Sequence, residues 1–180
     1  MRHLTRLEAE KVTVDEMASE EREEICDLAE KIKENFLSKL ETTHTETERD
    51  WFFGTMENVP CHWKTEHVGQ TVDDMNQRLD DNWMKKLVTT FTIASEEVYD
   101  IVFDALKNEY ILMDICLKLA VRRVLESNPN PVVEKRIYPH KVVGMGVKQQ
   151  GREVFKTSGI IAIFKLSSHD AVWGKTIYPF

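Results

Sequence analysis

Leu125-Glu126-Ser127-Asn128-Pro129-Asn130-Pro131-Val132-Val133 divides the chain into two kinds of sequence. Proline lacks a backbone N–H and fixes φ, so Pro129 and Pro131 end any helix arriving from upstream. Before them, Leu112, Ile115, Cys116, Leu119, Ala120 and Val124 recur at intervals of three and four, which is one face of a helix. After them, Val132-Val133, Ile137-Tyr138 and Val142-Val143 are β-branched and aromatic runs that suit a pleated surface. The sequence therefore predicts a single α+β domain over residues 1–180, helical over 1–128 and β over 131–180.

Working outward on the N-terminal side, the helix that ends at the prolines extends back to Ser95, which reads as its N-cap. The stretch 95–127 is one helix or two joined near Asn108. Val72, Met75, Leu79, Trp83 and Leu87 form a second stripe, predicting a helix over about 71–88. Thr71 and Asp74 form a capping box at its start. Thr89 to Ile93 has β-type residues and reads as a strand or a linker. A third helix is predicted over about 14–41, with Ile25, Leu28, Ala29, Ile32, Phe36, Leu37 and Leu40 on one face. Its start is marked by Thr13 and Glu16, or by Ser19 with the acidic residues behind it. Residues 42–70 lose the periodicity, although they are rich in aromatics.

On the C-terminal side, Val143, Met145 and Val147 alternate with Gly144, Gly146 and Lys148. Gln149-Gln150-Gly151-Arg152 is a hairpin turn with Gly151 free to take positive φ. Ile160 to Phe164 is continuously apolar, as expected of a strand buried on both faces. Ala171 to Tyr178 is a last strand broken at Gly174. The expected architecture is thus helices packed on one antiparallel β-hairpin sheet over about 132–178.

The net charge is −7, unevenly distributed. Residues 131–180 hold 8 Lys and Arg against 3 Asp and Glu, while the preceding 130 hold 16 against 28. A chain this acidic is a poor general polyanion binder, since phosphate affinity comes from Lys and Arg. The three cysteines, Cys26, Cys61 and Cys116, are few, odd in number and far apart. Cys26 and Cys116 fall in apolar helical stripes and read as packed thiols, which points to a reducing, intracellular setting. Met1-Arg2-His3-Leu4 runs into charge without an apolar leader. No stretch reaches the roughly 18 apolar residues of a membrane span.

Three groups of residues invite chemistry. His44, Cys61, His62 and His67 put three imidazoles and a thiol within 24 residues, a donor density that zinc would accept. Yet no paired Cys-x-x-Cys or His knuckle is complete, and no cofactor is required. His44-Thr45-Glu46 with Pro60-Cys61 matches part of the zinc-deaminase signature, but Lys64 stands where the second cysteine belongs. Arg136, Lys141, Lys148, Arg152 and Lys156 place cations beside Tyr138 and Phe155, a composition that suits nucleic acid. Asp74–Arg78 and Asp81–Lys85 read as i, i+4 pairs on a solvated helix face. Finally, Trp51, Phe52, Phe53, Trp63, Ile177, Tyr178 and Phe180 suggest an interaction surface, with the apolar C-terminus docked on a neighbouring subunit. Ranked first is a non-enzymatic structural or adaptor subunit, a homo-oligomer such as a virion connector or tail component. A metal-dependent enzyme built on the His44–His67 segment follows, and then a nucleic-acid-binding regulator using the basic hairpins.

Overall fold

The computed structural model describes residues 17–54 and 62–180, except for the side chain of His62. Cys61 and the Thr13/Glu16 capping box therefore lie outside the described residues. Helix α1 spans Ser19–Leu40 and is followed by α2 (Glu46–Gly54), α3 (His62–His67) and α4 (Val72–Asp80). Strand β1 (Leu87–Phe91) comes next, before α5 (Ser95–Leu106) and α6 (Glu109–Leu125). The remainder is β2 (Val132–Ile137), β3 (Gly144–Lys148), β4 (Val154–Thr157), β5 (Ile160–Leu166) and β6 (Val172–Pro179).

The class is α+β, with strands mostly in the C-terminal half, but the strands form two antiparallel three-stranded sheets rather than one. Their orders are β1-β3-β4 and β2-β5-β6. The first sheet recruits β1 from the helical half. Leu87 to Phe91 pairs with Lys148 to Gly144, so the β-type run before Ser95 is a strand and the predicted helix over 71–88 stops at Asp80. Trp83 and Leu87 continue the apolar spacing only by coincidence, since both are exposed.

The stretch 95–127 is two helices. The Asn108 side chain accepts from the N–H groups of Tyr110 and Ile111 and restarts the helix, as an N-cap does. Ser95 is instead the first helical residue after Ala94, and its hydroxyl donates to Glu46. The Thr71 and Asp74 capping box forms in full. The irregular stretch 42–70 holds α2 and α3, of 9 and 6 residues. Both are shorter than the window over which periodicity declares itself.

The main core lies between α1, α5, α6 and the β2-β5-β6 sheet. Ile25, Ile32 and Phe36 of α1 meet Ile115, Leu119 and Ala120 of α6, with Phe164 and Ile177 below. Cys116 is buried there, and burial pushes its thiol up to about 12. Cys26, expected inside, is exposed on the outer side of α1. Phe52 and Phe53 of α2 pack with Phe36, Phe103, Tyr99 and Phe164. A Cβ on Gly174 would run into the Phe53 ring, which is why the last strand carries glycine there. A smaller core of Met75, Leu79, Val88 and Val147 joins α4 to the β1-β3-β4 sheet. The β3–β4 turn closes at Gly151 (φ 77°) and Arg152 (φ 50°).

Candidate active site: a basic cleft around His67

Four separate segments converge on a cleft of about 470 Å³ between the two sheets' neighbouring ends. The end of α3 supplies Glu66 and His67, and α4 supplies Arg78. Lys85, Leu87 and Thr89 come from the run into β1, and Lys175, Thr176 and Tyr178 from β6.

Local structure fixes His67. Trp63 anchors α3 from beneath: it is buried against Phe91, and its indole N–H donates to the Tyr99 hydroxyl at 3.2 Å. Lys64 clamps the same helix to Glu46 and Asp50 of α2. Past His67 the chain turns sharply. Val68 bridges Phe91 in parallel, and the N–H of Gly69 donates to the Phe91 carbonyl with φ at 68°. Only glycine takes that backbone conformation without strain. The Nδ1 of His67 lies 3.2 Å from the Thr89 carbonyl oxygen. A carbonyl can only accept, so Nδ1 is the donor in this contact. The imidazole ring also lies against the Tyr178 ring, centroids 5.8 Å apart.

Arg78 is held by the residue beside His67. Its guanidinium pairs with the Glu66 carboxylate at 2.9 Å and also donates to the Glu66 carbonyl. The expected Asp74–Arg78 pair is absent, because Asp74 is engaged by Thr71, whose hydroxyl and N–H hold its carboxyl below the usual range. Asp81 likewise accepts from Gln77, and Lys85 turns to the cleft.

The β6 side of the cleft depends on a β-bulge. Thr176 pairs with Ile163 and Gly174 with Phe164, so Lys175 is an extra residue. In a regular strand, adjacent side chains point to opposite faces. A bulge breaks that alternation and re-aims a side chain, so Lys175 and Thr176 both reach the cleft. Alternation then resumes. Tyr178 returns to the cleft, and Ile177 between them is fully buried in the core. Burial, with the Glu134 charge second, raises the Tyr178 phenol above its ordinary value, so it is a hydrogen-bond donor at neutral pH.

The cleft thus holds an imidazole, a guanidinium, two ammonium groups, a phenol and two threonine side chains against one carboxylate. Such a set can move a proton at His67 and stabilise anionic charge nearby.

The other predicted residues do not join it. His44 lines a separate apolar groove with Leu37, Leu40, Phe103 and Leu106. Among the described residues no three His, Cys, Asp or Glu side chains are grouped to hold a metal. Arg136, Lys141, Lys148 and Arg152 pair with Glu134, Glu97, Glu153 and Asp80 respectively. Neither these four nor Lys156 line the cleft. Of the aromatic group, Phe52, Phe53, Trp63 and Ile177 lie in the chain's own core, whereas Trp51 is 65% exposed. Phe180 docks within the chain, exchanging backbone hydrogen bonds with Gly159 and packing on Tyr138.

No family model matches this chain, and no curated protein matches its sequence. About two thirds of the chain has a counterpart among solved folds. It is similar to a chain in the crystal structure of the CdiA-CT/CdiI complex from Y. kristensenii 33638, with a TM-score of 0.51 at 16% identity. The match covers 66% of this chain and 98% of that one. The structural neighbour thus comes from a protein–protein complex, and nearly all of its length aligns within this longer chain. No described helix is long and apolar enough to cross a membrane.

Sequence reading assigned Tyr178 to an interaction surface and Arg78 and Lys85 to ion pairs on a solvated helix face, and it overlooked Lys175 and Thr176 as site residues. One signal was available. Thr176 and Tyr178 are two apart on a strand and share a face, with apolar Ile177 turned to the other.

Proposed function

We propose that this domain is a phosphodiester-cleaving enzyme acting on RNA through acid–base chemistry at His67. The observation that supports this reading is the convergence of His67, Arg78, Lys85, Lys175, Thr176 and Tyr178 from four segments on one cleft. The cations favour an anionic substrate even though the chain as a whole is acidic, because a cleft focuses the local field. The proton-moving group is an imidazole. Such a set suits a substrate that carries its own nucleophile, and the ribose 2′-hydroxyl beside a phosphodiester is one.

In this reading the His67 Nε2 removes the 2′-hydroxyl proton as the 2′-oxygen attacks phosphorus. The bond to the 5′-oxygen breaks, and that oxygen takes a proton from a cleft ammonium, Lys85 or Lys175. The products are a 2′,3′-cyclic phosphate and a 5′-hydroxyl end. Arg78 and the protonated Tyr178 hydrogen-bond the charge building on the phosphoryl oxygens, where charge-assisted donors act most strongly. The backbone carbonyl of Thr89 keeps the imidazole in the productive tautomer. The test compares an oligoribonucleotide with the deoxyribonucleotide of the same sequence. Cleavage of the first alone supports the reading. Equal cleavage of both, or of neither, contradicts it.

A second reading, a subunit that works bound to other protein, has its own support. The structural neighbour comes from a complex of two proteins. Self-association is tested by light scattering on the untagged chain, where a discrete multiple of 21.0 kDa is the expected result and a monomer would leave only an unlike partner.

A further inference from the structure

The turn between α4 and β1 presents an exposed aromatic ring two residues before Lys85, which lines the cleft. The N–H of Lys85 donates to the Asn82 carbonyl at 3.0 Å, and the N–H of Met84 to the Asn82 side chain at 3.2 Å. This places Trp83 and Met84 at the two corner positions, where Trp83 is 80% and Met84 69% exposed. Both ends of the turn are fastened. Asp81 closes α4 through Gln77, and the Lys86 carbonyl accepts from the N–H of Gln149 in the β3–β4 turn. The turn is also continuous with the cleft, since Lys85 and Leu87 line it.

An indole this exposed contributes little burial to the fold, so its place at a pinned turn asks for another account. The order Trp83-Met84-Lys85-Lys86 sets an apolar platform directly before two cations. That is the pattern by which proteins hold single strands, with bases stacked on rings and phosphates met by charge. We propose that this turn is a base-stacking step that extends the cleft. A nucleobase next to the scissile site of a single-stranded RNA lies on the Trp83 indole, and Lys85 and Lys86 meet the adjoining phosphates. The proposal rests on the RNA-cleaving reading, but it is tested separately by binding. Because the platform is preorganised, little ordering entropy is lost when the strand docks.

The experiment measures fluorescence anisotropy of a labelled 2′-O-methyl oligonucleotide, which cannot supply a 2′-hydroxyl nucleophile. Trp83→Ala is expected to weaken binding roughly five- to hundredfold, while Trp83→Phe retains most of it. Tyr110→Ala, which removes an exposed ring outside the cleft, is expected to bind as the wild type does. Thermal melting of each variant separates a lost contact from a lost fold. Wild-type affinity in Trp83→Ala overturns the stacking step and leaves the turn as a surface for a protein partner. No binding by the wild type overturns it as well. Wild-type binding with no cleavage of unmodified RNA ends the catalytic reading alone. Cleavage with unchanged Trp83→Ala binding ends the stacking step alone.

Discussion

The two three-stranded sheets have the same antiparallel form but different surroundings. The β2-β5-β6 sheet is covered by α6 and α1, and β5 is apolar along nearly all its length. The β1-β3-β4 sheet has a core of four buried side chains under a short helix, and its outer strand is half exposed. The large sheet acts as chassis. The small sheet and the turns feeding it carry Arg78 and Lys85 to the cleft, whereas α3, anchored by Trp63 in the main core, brings His67. From the large sheet, the bulged strand β6 reaches the cleft with Lys175, Thr176 and Tyr178. Sites held by a rigid element on one side and connecting segments on the other are a common way to place function on a fold.

This contrast can be broken, and the sharpest attempt removes the imidazole. His67→Ala is expected to lower RNA cleavage by about 10²- to 10⁴-fold, the usual contribution of a general base. The circular dichroism spectrum and melting point should stay near those of the wild type, since His67 is only partly buried. Next in size is the chassis itself. Phe164→Ala is expected to cost about 3–5 kcal/mol in urea unfolding, because Phe164 is fully buried among Phe36, Phe53 and Leu166. Leu79→Ala, in the four-residue core, is expected to cost about 2–3 kcal/mol, at the low end for such truncations, because a small cluster at an edge can collapse around the gap. It should still weaken oligonucleotide binding, since α4 carries Arg78. A cost equal to that of Phe164→Ala would erase the distinction between the two cores.

The last test is a pH term on the chassis side. Burial lowers Lys39 from 10.5 to about 8, and its ammonium sits over the Trp173 ring, 2.8 Å from the centroid. The unfolded chain binds this proton more tightly than the folded one, so folding stability rises with pH between about 8 and 10.5. Lys39→Met should remove that rise, read as the difference in urea midpoints between variant and wild type across the window. A difference that is flat with pH would contradict the assignment.

Much of the chassis was legible in the sequence, for physical reasons. Long helices bury one stripe, so Ile25 to Leu40 and Leu112 to Val124 declare themselves by period. The prolines at 129 and 131 mark where that period stops. The Gly151 turn and the Thr71 capping box follow from local chemistry that tertiary packing does not override. The β1 strand was obscured because Trp83 and Leu87 continue the α4 spacing by accident. The helices α2 and α3 are too short to show any spacing, although their buried Phe52, Phe53 and Trp63 are what holds the segment. The cleft was less legible still. Its residues are scattered from 66 to 178, and an extra residue at 175 decides which side chains face it. The carboxylates expected to pair with Arg78 and Lys85 find nearer partners, which only three-dimensional placement reveals. His67 was picked out by residue type, but as a metal donor, and the carbonyl that its Nδ1 meets lies 22 residues away.

The most direct test of the central claim is product analysis on a 5′-labelled oligoribonucleotide treated with the wild-type chain and with His67→Ala. The account predicts fragments ending in 2′,3′-cyclic phosphate from the wild type and almost none from the variant. Intact RNA with the wild type, or the same fragments at the same rate from His67→Ala, would contradict it.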